Sequence, residues 1–293
     1  MTATRGLDHI VHAVRDLEAA TEFYRRAGFT VGVRNRHPWG THNHIVQFPG
    51  VFVELVAVGE PEAIPSATPR SISFGAFIRD FVSRHEGLAM LVLEGRDAAA
   101  DAAAFRAAGI GDFDVFDFAR EAKRPDGSTV KVAFSLAFAA DRQGPDIGYF
   151  TCQQHYPENF WNSAFQTHAN SATGIAGVVL VADNPADHHI FLKAFAGVSD
   201  LKSTSQGIRI ATPRGEIQVM DPQTFRMLFA AEPPVVTRGS RLAAIRFSLP
   251  GTADMKSVLA RGGIAAKERA GSLIVPPDAA HGATLIFEAA KEG

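Results

Sequence analysis

The sequence predicts an α+β protein built from four β-α-β-β-β modules that pair into two domains, and three observations carry that reading. Four segments share one strand-then-helix grammar: LDHIVHAVRDLEAATEFYRRAGF from Leu7, LAMLVLEGRDAAADAAAFRAAGI from Leu88, IAGVVLVADNPADHHIFLKAFAGV from Ile175 and LAAIRFSLPGTADMKSVLARGGI from Leu242. Each helix closes on a glycine: Gly28, Gly109, Gly197 or Gly263. After every glycine there is room for three short β-rich runs before the next copy begins.

Each copy opens with a β-rich run that gives way to Asp, Asn-Pro or Gly-Thr-Ala-Asp, residues that start helices, and then to apolar positions at helical spacing. The closing glycine supplies the left-handed conformation that ends a helix without a Cβ clash. In the first copy the later strands are TVGVRNR, THNHIVQF and VFVELVAV, the last two split by a Pro-Gly turn. The second copy offers FDVFDF, KVAFSLAF and GYFTCQ. The third offers LKSTSQ, IRIATP and EIQVMD, and the fourth AAKERA, SLIVPP and ATLIFE. Four strands and a helix cannot close a core alone, so modules one and two form a domain over 1–165, and modules three and four a second over 170–293. The polar stretch 162–173 reads as the linker. Residues 59–86 fall outside the repeat and hold a short helix around FIRDFVSR.

A chain of 293 residues has ample length for two cores. With 46% hydrophobic and 20% charged residues and a net charge of -2, it has no global attraction for nucleic acid or anionic membrane. The expected partners are a small-molecule substrate and, in a homodimer, a second copy of the chain. The single cysteine, Cys152, excludes an internal disulfide framework, and MTATRGLDHI lacks the apolar core of a signal peptide, so the expected compartment is the cytoplasm. No apolar run approaches the roughly 20 residues that span a bilayer.

LDHIVHAVRDLEAATEFYRRAGFTV followed by FVELVAV resembles the opening module of the vicinal oxygen chelate superfamily, and HPWGTHN before a strand ending in Glu-Leu resembles its glyoxalase-like proteins. The module grammar covers nearly the whole chain, although modules two to four match more loosely. The resemblance implies two half-open barrel domains. It also implies a divalent metal ion held by the first and last strands of paired modules, and isomerase, lyase or dioxygenase chemistry on a small oxygenated molecule.

Counting 19 residues back from each closing glycine puts Met90, Val178 and Ala244 where the first copy has His9. At the position of Glu54 stand, approximately, Cys152, Gln218 and Glu288. Only the first copy has both donors. An imidazole and a carboxylate suit a borderline divalent ion such as iron, zinc, manganese, nickel or cobalt, and a carboxylate inside an apolar strand is costly unless paired. The expected metal ligands are therefore His9 and Glu54, with His155, in TCQQHYPENFW, as the third. His44 is the rival, on a strand face shared with His42 and opposite to Asn43; Cys152 is a further alternative as thiolate. Having Met90 in place of a donor departs from the four-ligand pattern of the family. Glu54 is also the expected catalytic base. Arg36, Trp39, Asn43, Gln153 and Trp161 are expected to contact substrate, with His37 in the same polar and aromatic loop. The second pair of modules keeps only Glu288 and is read as lacking metal. A metal-free protein that sequesters a drug-like ligand, as bleomycin-resistance proteins do, is the alternative, and a metal-free lyase using Glu54 as base is a third reading. No phosphate-binding glycine loop, G-x-S-x-G or Cys-x-x-Cys is present.

Overall fold

The computed structural model describes residues 4–123 and 127–290. The first module runs β1 (Leu7–Ala13), α1 (Leu17–Arg26), β2 (Asn35–Arg36), β3 (Thr41–Phe48) and β4 (Val51–Val58). After α2 (Phe74–Arg84), the second runs β5 (Gly87–Gly95), α3 (Ala98–Ala107), β6 (Phe116–Lys123), β7 (Thr129–Ala139) and β8 (Gly148–Gln154). A short α4 (Pro157–Phe160) precedes the third module: β9 (Gly174–Val181), α5 (His189–Ala196), β10 (Lys202–Thr204), β11 (Gly207–Ala211) and β12 (Glu216–Met220). Beyond α6 (Pro222–Phe229) the fourth runs β13 (Arg241–Leu249), α7 (Ala253–Arg261), β14 (Lys267–Arg269), β15 (Ser272–Val275) and β16 (Thr284–Ala289).

Local chemistry explains the helix ends. Asp16 and Asp97 accept from the backbone N–H groups of Ala19 and Ala100, satisfying donors that the first turn would leave orphaned. The four closing glycines all have φ between 65° and 82°, the left-handed region where a Cβ is costly. The second strand of three modules is shorter than the sequence predicts: only Asn35–Arg36, Lys202–Thr204 and Lys267–Arg269 pair. These are outer strands, bonded on one side only, so pairing extends only as far as the neighbour supports it. The helix α6 has no counterpart in the sequence reading, although Asp221 capping Gln223 and Thr224 ahead of Pro222 at the first helical position is a start signal.

The strands form two eight-stranded sheets, β2-β3-β4-β1-β5-β8-β7-β6 and β10-β11-β12-β9-β13-β16-β15-β14. This is an α+β architecture of two curled half-barrels. Within each, first and last strands of a module pair in parallel and the two modules meet through antiparallel first strands, β1 with β5 and β9 with β13. The convex faces of both sheets and their four module helices share one apolar core, where Phe29 packs against Phe247 at 5.0 Å between ring centroids. Each concave face is covered by an extra helix. Phe74, Ile78 and Phe81 of α2 enter the first cup, and Phe225 of α6 the second. The 162–173 stretch packs down: His168 and Asn170 are buried and bond to Gln47 and Ala27. Among the described residues no helix is long and apolar enough to cross a membrane.

Strand pairing refines the comparison of modules. Val11 pairs with Glu54, Val92 with Phe150, Val179 with Gln218 and Arg246 with Ile286. Phe150, Gln218 and Ile286 therefore stand where Glu54 does, and Met90, Gly177 and Ala244 where His9 does. Cys152 and Glu288 lie two residues further on, on the same face. The closing glycine is a less faithful marker than the ladder, because strand-to-helix connections differ in length and β-bulges shift the register between β1 and β5.

Candidate functional site

Four backbone pieces of the first module contribute to the wall of the first cup. Alternation along β1 turns His9 and Val11 into it, along β3 Asn43 and Ile45, and along β4 Phe52 and Glu54. The fourth piece is the turn HPWGT between β2 and β3. Gly40 there has φ +80°, and a Cβ on it would lie 2.3 Å from the Glu60 carbonyl oxygen. The turn folds His37 over Trp39, stacked at 4.6 Å, and brings both to the cup.

Glu54 is the centre of the polar network. Asn43 Nδ2 donates to Glu54 Oε1 at 2.5 Å. His37 Nε2 stands 3.8 Å from the same oxygen, and His9 Nε2 3.8 Å from Oε2. His9 Nδ1 is 2.6 Å from Asp8 Oδ1, and its ring stacks on Phe52 at 4.3 Å. Gln154 donates to the other Asp8 oxygen. Burial lowers the pKa of His37 to about 4 against the opposing pull of Glu54, with Arg120 and His42 adding to the lowering, so the ring is neutral near pH 7. Asn43 Nδ2 also lies 3.3 Å from His37 Nε2, and Thr41 Oγ1 2.9 Å from Nδ1. These partners assign the His37 proton to Nδ1 and a lone pair to Nε2.

Around this network is a small apolar cavity of about 50 Å³, walled by Trp39, Phe52, Phe74, Phe118, Phe134, Phe150 and Phe160. The buried Trp39 Nε1 has no hydrogen-bond partner among the described residues. Arg120 of β6 lines both the cavity and the outer groove between β2 and β7. Among the described residues its guanidinium donates to the Glu121 carbonyl. Burial lowers its pKa while Glu54 pulls the other way.

Of the residues expected from sequence, His9, Glu54, Trp39, Asn43 and Cys152 line this cavity. His155 does not join them: it is exposed, on the opposite face from Phe150 and Cys152, with Nε2 2.7 Å from Ser135 Oγ. Strand alternation is the reason. His44 likewise faces the convex side, where Nδ1 donates to the Gly32 carbonyl and Nε2 stands 3.5 Å from Glu18. His42, on that face, contacts Arg34 and Glu60. Cys152 is fully buried, which raises its thiol pKa well above the ordinary value and keeps it protonated. Arg36 is 73% exposed and pairs with Glu60 at 3.4 Å. Gln153 accepts from the first N–H of α3, and with Trp161 lines a second, more polar cavity behind Asp8. Arg120 and Asp8 escaped the sequence reading. Asp8 was adjacent to His9 in plain view, whereas Arg120 is two residues past Phe118 on one face of a strand.

These donors do not assemble the metal centre that the fold family implies. Met90 and Phe150 take the second module's ligand places. In the first module His9 and His37 approach different oxygens of Glu54, so the carboxylate stands between the imidazoles, and Asn43 caps one oxygen. Among the described residues, no three or more His, Cys, Asp or Glu side chains are grouped to hold an ion.

The glyoxalase-like domain family matches residues 7–195. A search of curated proteins finds no match. Among solved structures, a hypothetical protein from Staphylococcus aureus is similar over 98% of this chain and 100% of its own, with 14% identity and a TM-score of 0.68. A mutant 4-hydroxymandelate synthase from Streptomyces coelicolor aligns over 100% and 95%, at 11% identity and a TM-score of 0.58. An Mn(II)-bound glyoxalase from Novosphingobium aromaticivorans aligns over 99% and 83%, at 12% identity and 0.56. At these identities the structural neighbours establish the fold alone. With its family match covering more than half of the sequence, the chain belongs to the glyoxalase-like domain family.

Proposed function

We propose that the first cup is the active site of an enzyme that moves a proton on a small oxygenated organic molecule, Glu54 being the proton acceptor. The observation that supports it most is the setting of Glu54, a carboxylate in an aromatic-walled cavity with Oε1 tied to Asn43 and Oε2 free of that bond. A pocket of mostly apolar walls with a few convergent polar groups is the usual form of a small-molecule site.

The chemistry balances with this chain's residues alone. A C–H bond next to a substrate carbonyl breaks, its proton goes to Glu54 Oε2, and its electron pair moves onto the carbonyl oxygen. The unpartnered Trp39 Nε1–H is a donor for that developing oxyanion. Where that carbon carries a hydroxyl, transfer of the hydroxyl proton to the former carbonyl oxygen and return of the proton from Glu54 to the former carbonyl carbon complete an isomerisation; departure of a β-leaving group with its electron pair, as the carbonyl re-forms, completes a lyase reaction. Neutral His37 and the Asp8-anchored His9 hold the flanks of the carboxylate without adding a fixed charge from His37. Arg120, at the border of cavity and groove, is placed for an anionic end of the substrate. No step is routed through a metal ion, because the donors do not converge on one point.

The test is α-proton exchange in D2O followed by NMR, with 2-hydroxyacetophenone and phenylpyruvate as probes, in the presence and absence of EDTA. Exchange faster than in buffer, unchanged by EDTA and reduced about 10²–10⁴-fold in Glu54→Gln, is the expected result. Saturable quenching of tryptophan fluorescence without exchange would replace the enzyme by a sequestering protein. Exchange that EDTA abolishes and a divalent ion restores would replace the metal-free chemistry.

A further inference from the structure

Away from the cup, at the junction of the two halves, positive charge gathers around one acid. Arg84 at the end of α2 and Arg238 ahead of β13 both donate to Asp146 Oδ1, at 2.9 and 3.3 Å. Asp146 is itself buried. Next to them Arg241, the first residue of β13, is only 7% exposed. Its guanidinium makes no hydrogen bond or ion pair among the described residues, and its Nε is fully buried without a partner. It stands over the face of Phe81, 5.5 Å from the ring centroid. His85, packed edge-on against Phe81 at 4.3 Å, has a buried Nε2 that is also unpartnered.

A buried charge is stable only when paired and hydrogen-bonded, and a ring face answers only part of that need. Arg84 and Arg238 share the one carboxylate of Asp146, which leaves the buried guanidinium of Arg241 without an ion partner among the described residues. Electrostatics agree with the geometry: burial lowers the pKa of Arg241, with Asp146 opposing and Arg84 and Arg238 adding to the lowering. Arg15 also acts on His85, but it has Glu86 as its own partner at 3.9 Å. The cluster opens to solvent through Arg84 and Arg238, whose side chains are 39% and 59% exposed. Planar guanidinium donors in this number match the oxygens of a phosphate or carboxylate group.

We infer that Arg84, His85, Arg238 and Arg241 form a binding site for a small oxyanion, free or carried on a small metabolite, that bridges the two halves of the chain. Arg241 and Arg238 come from the second half, and Arg84 and His85 from the first, so a bound anion ties them together.

Thermal unfolding of the full chain is measured in inorganic phosphate and in acetate, each against sodium chloride at equal ionic strength. At about 100 times its dissociation constant the bound anion raises the midpoint by several degrees, roughly 5 °C for a chain of this size. A shift with phosphate alone assigns a phosphate group; a shift with both admits a carboxylate. Arg241→Met removes the shift while remaining at least as stable as the parent in chloride, since it removes an unanswered buried charge. Arg238→Ala, at an exposed side chain that the fold tolerates, weakens anion binding about tenfold, the typical loss of one charge-assisted hydrogen bond. The site is overturned if neither anion raises the midpoint above chloride, or if the shift survives in both variants.

Discussion

Asn43 Nδ2 donates to Glu54 Oε1 across 2.5 Å, and the same amide nitrogen lies 3.3 Å from His37 Nε2. One side chain on β3 thereby sets the orientation of the carboxylate on β4 and the tautomer of an imidazole in the preceding turn. Asn43→Leu keeps the volume and removes both bonds. A hydrogen bond to a charged group contributes about 1.5–3 kcal/mol, so kcat for α-proton exchange falls roughly 10–150-fold. Fluorescence titration with the same probe is expected to change less than kcat, because the apolar walls that bind its body are untouched.

His12 gives a pH dependence that needs no substrate. It is fully buried, accepts from Tyr24 Oη at Nδ1 and donates from Nε2 to the His281 carbonyl. Burial lowers its pKa to about 4, with the His281 carbonyl opposing. The unfolded chain takes up this proton near pH 6.5 and the folded chain does not until about pH 4. Stability is therefore unaffected by His12 above pH 6.5 and declines as pH falls from 6.5 towards 4, by up to about 3 kcal/mol. Urea midpoints at pH 7 and pH 5 measure the decline; His12→Gln should make it shallower.

The shared convex core predicts how the two halves unfold. Phe29 of the first half lies within 5.0 Å of Phe247 and 6.0 Å of Phe287, ring centroid to centroid. Phe29→Ala should cost about 3–5 kcal/mol, as large-to-small core changes do. Calorimetry should show one transition in the parent and variant alike. Two separated transitions in the parent would show that the halves do not depend on this core.

In the second cup, Arg246 takes the place of polar chemistry. Its guanidinium bonds to Glu216 at 2.7 Å and to both oxygens of Glu288, and it is buried. Arg246→Ala strands two carboxylates in a cup filled by Phe225 and Met220. Breaking such a network by removing one partner typically costs about 3–5 kcal/mol. Chemical denaturation measures the loss, and exchange activity in the first cup should persist at temperatures where the variant stays folded.

The repeat was legible from local chemistry. Helix starts at Asp16 and Asp97, closing glycines and alternating strands are local features, and each follows from backbone conformation or from the period of one element. The same local logic singled out His9 and Glu54, because charged or basic groups inside apolar strands stand out without knowing their neighbours. The company those residues keep was decided by tertiary structure. His37 arrives through a turn, Arg120 from a strand at the far edge of the sheet, and Met90 and Phe150 occupy the second module's ligand places through a register that only strand pairing defines. His155 and His44 belong to the same sequence neighbourhoods as the site yet face the other side of the sheet. A side chain's face depends on bulges and on which residue pairs with which, and those are settled by contacts between residues far apart in the chain.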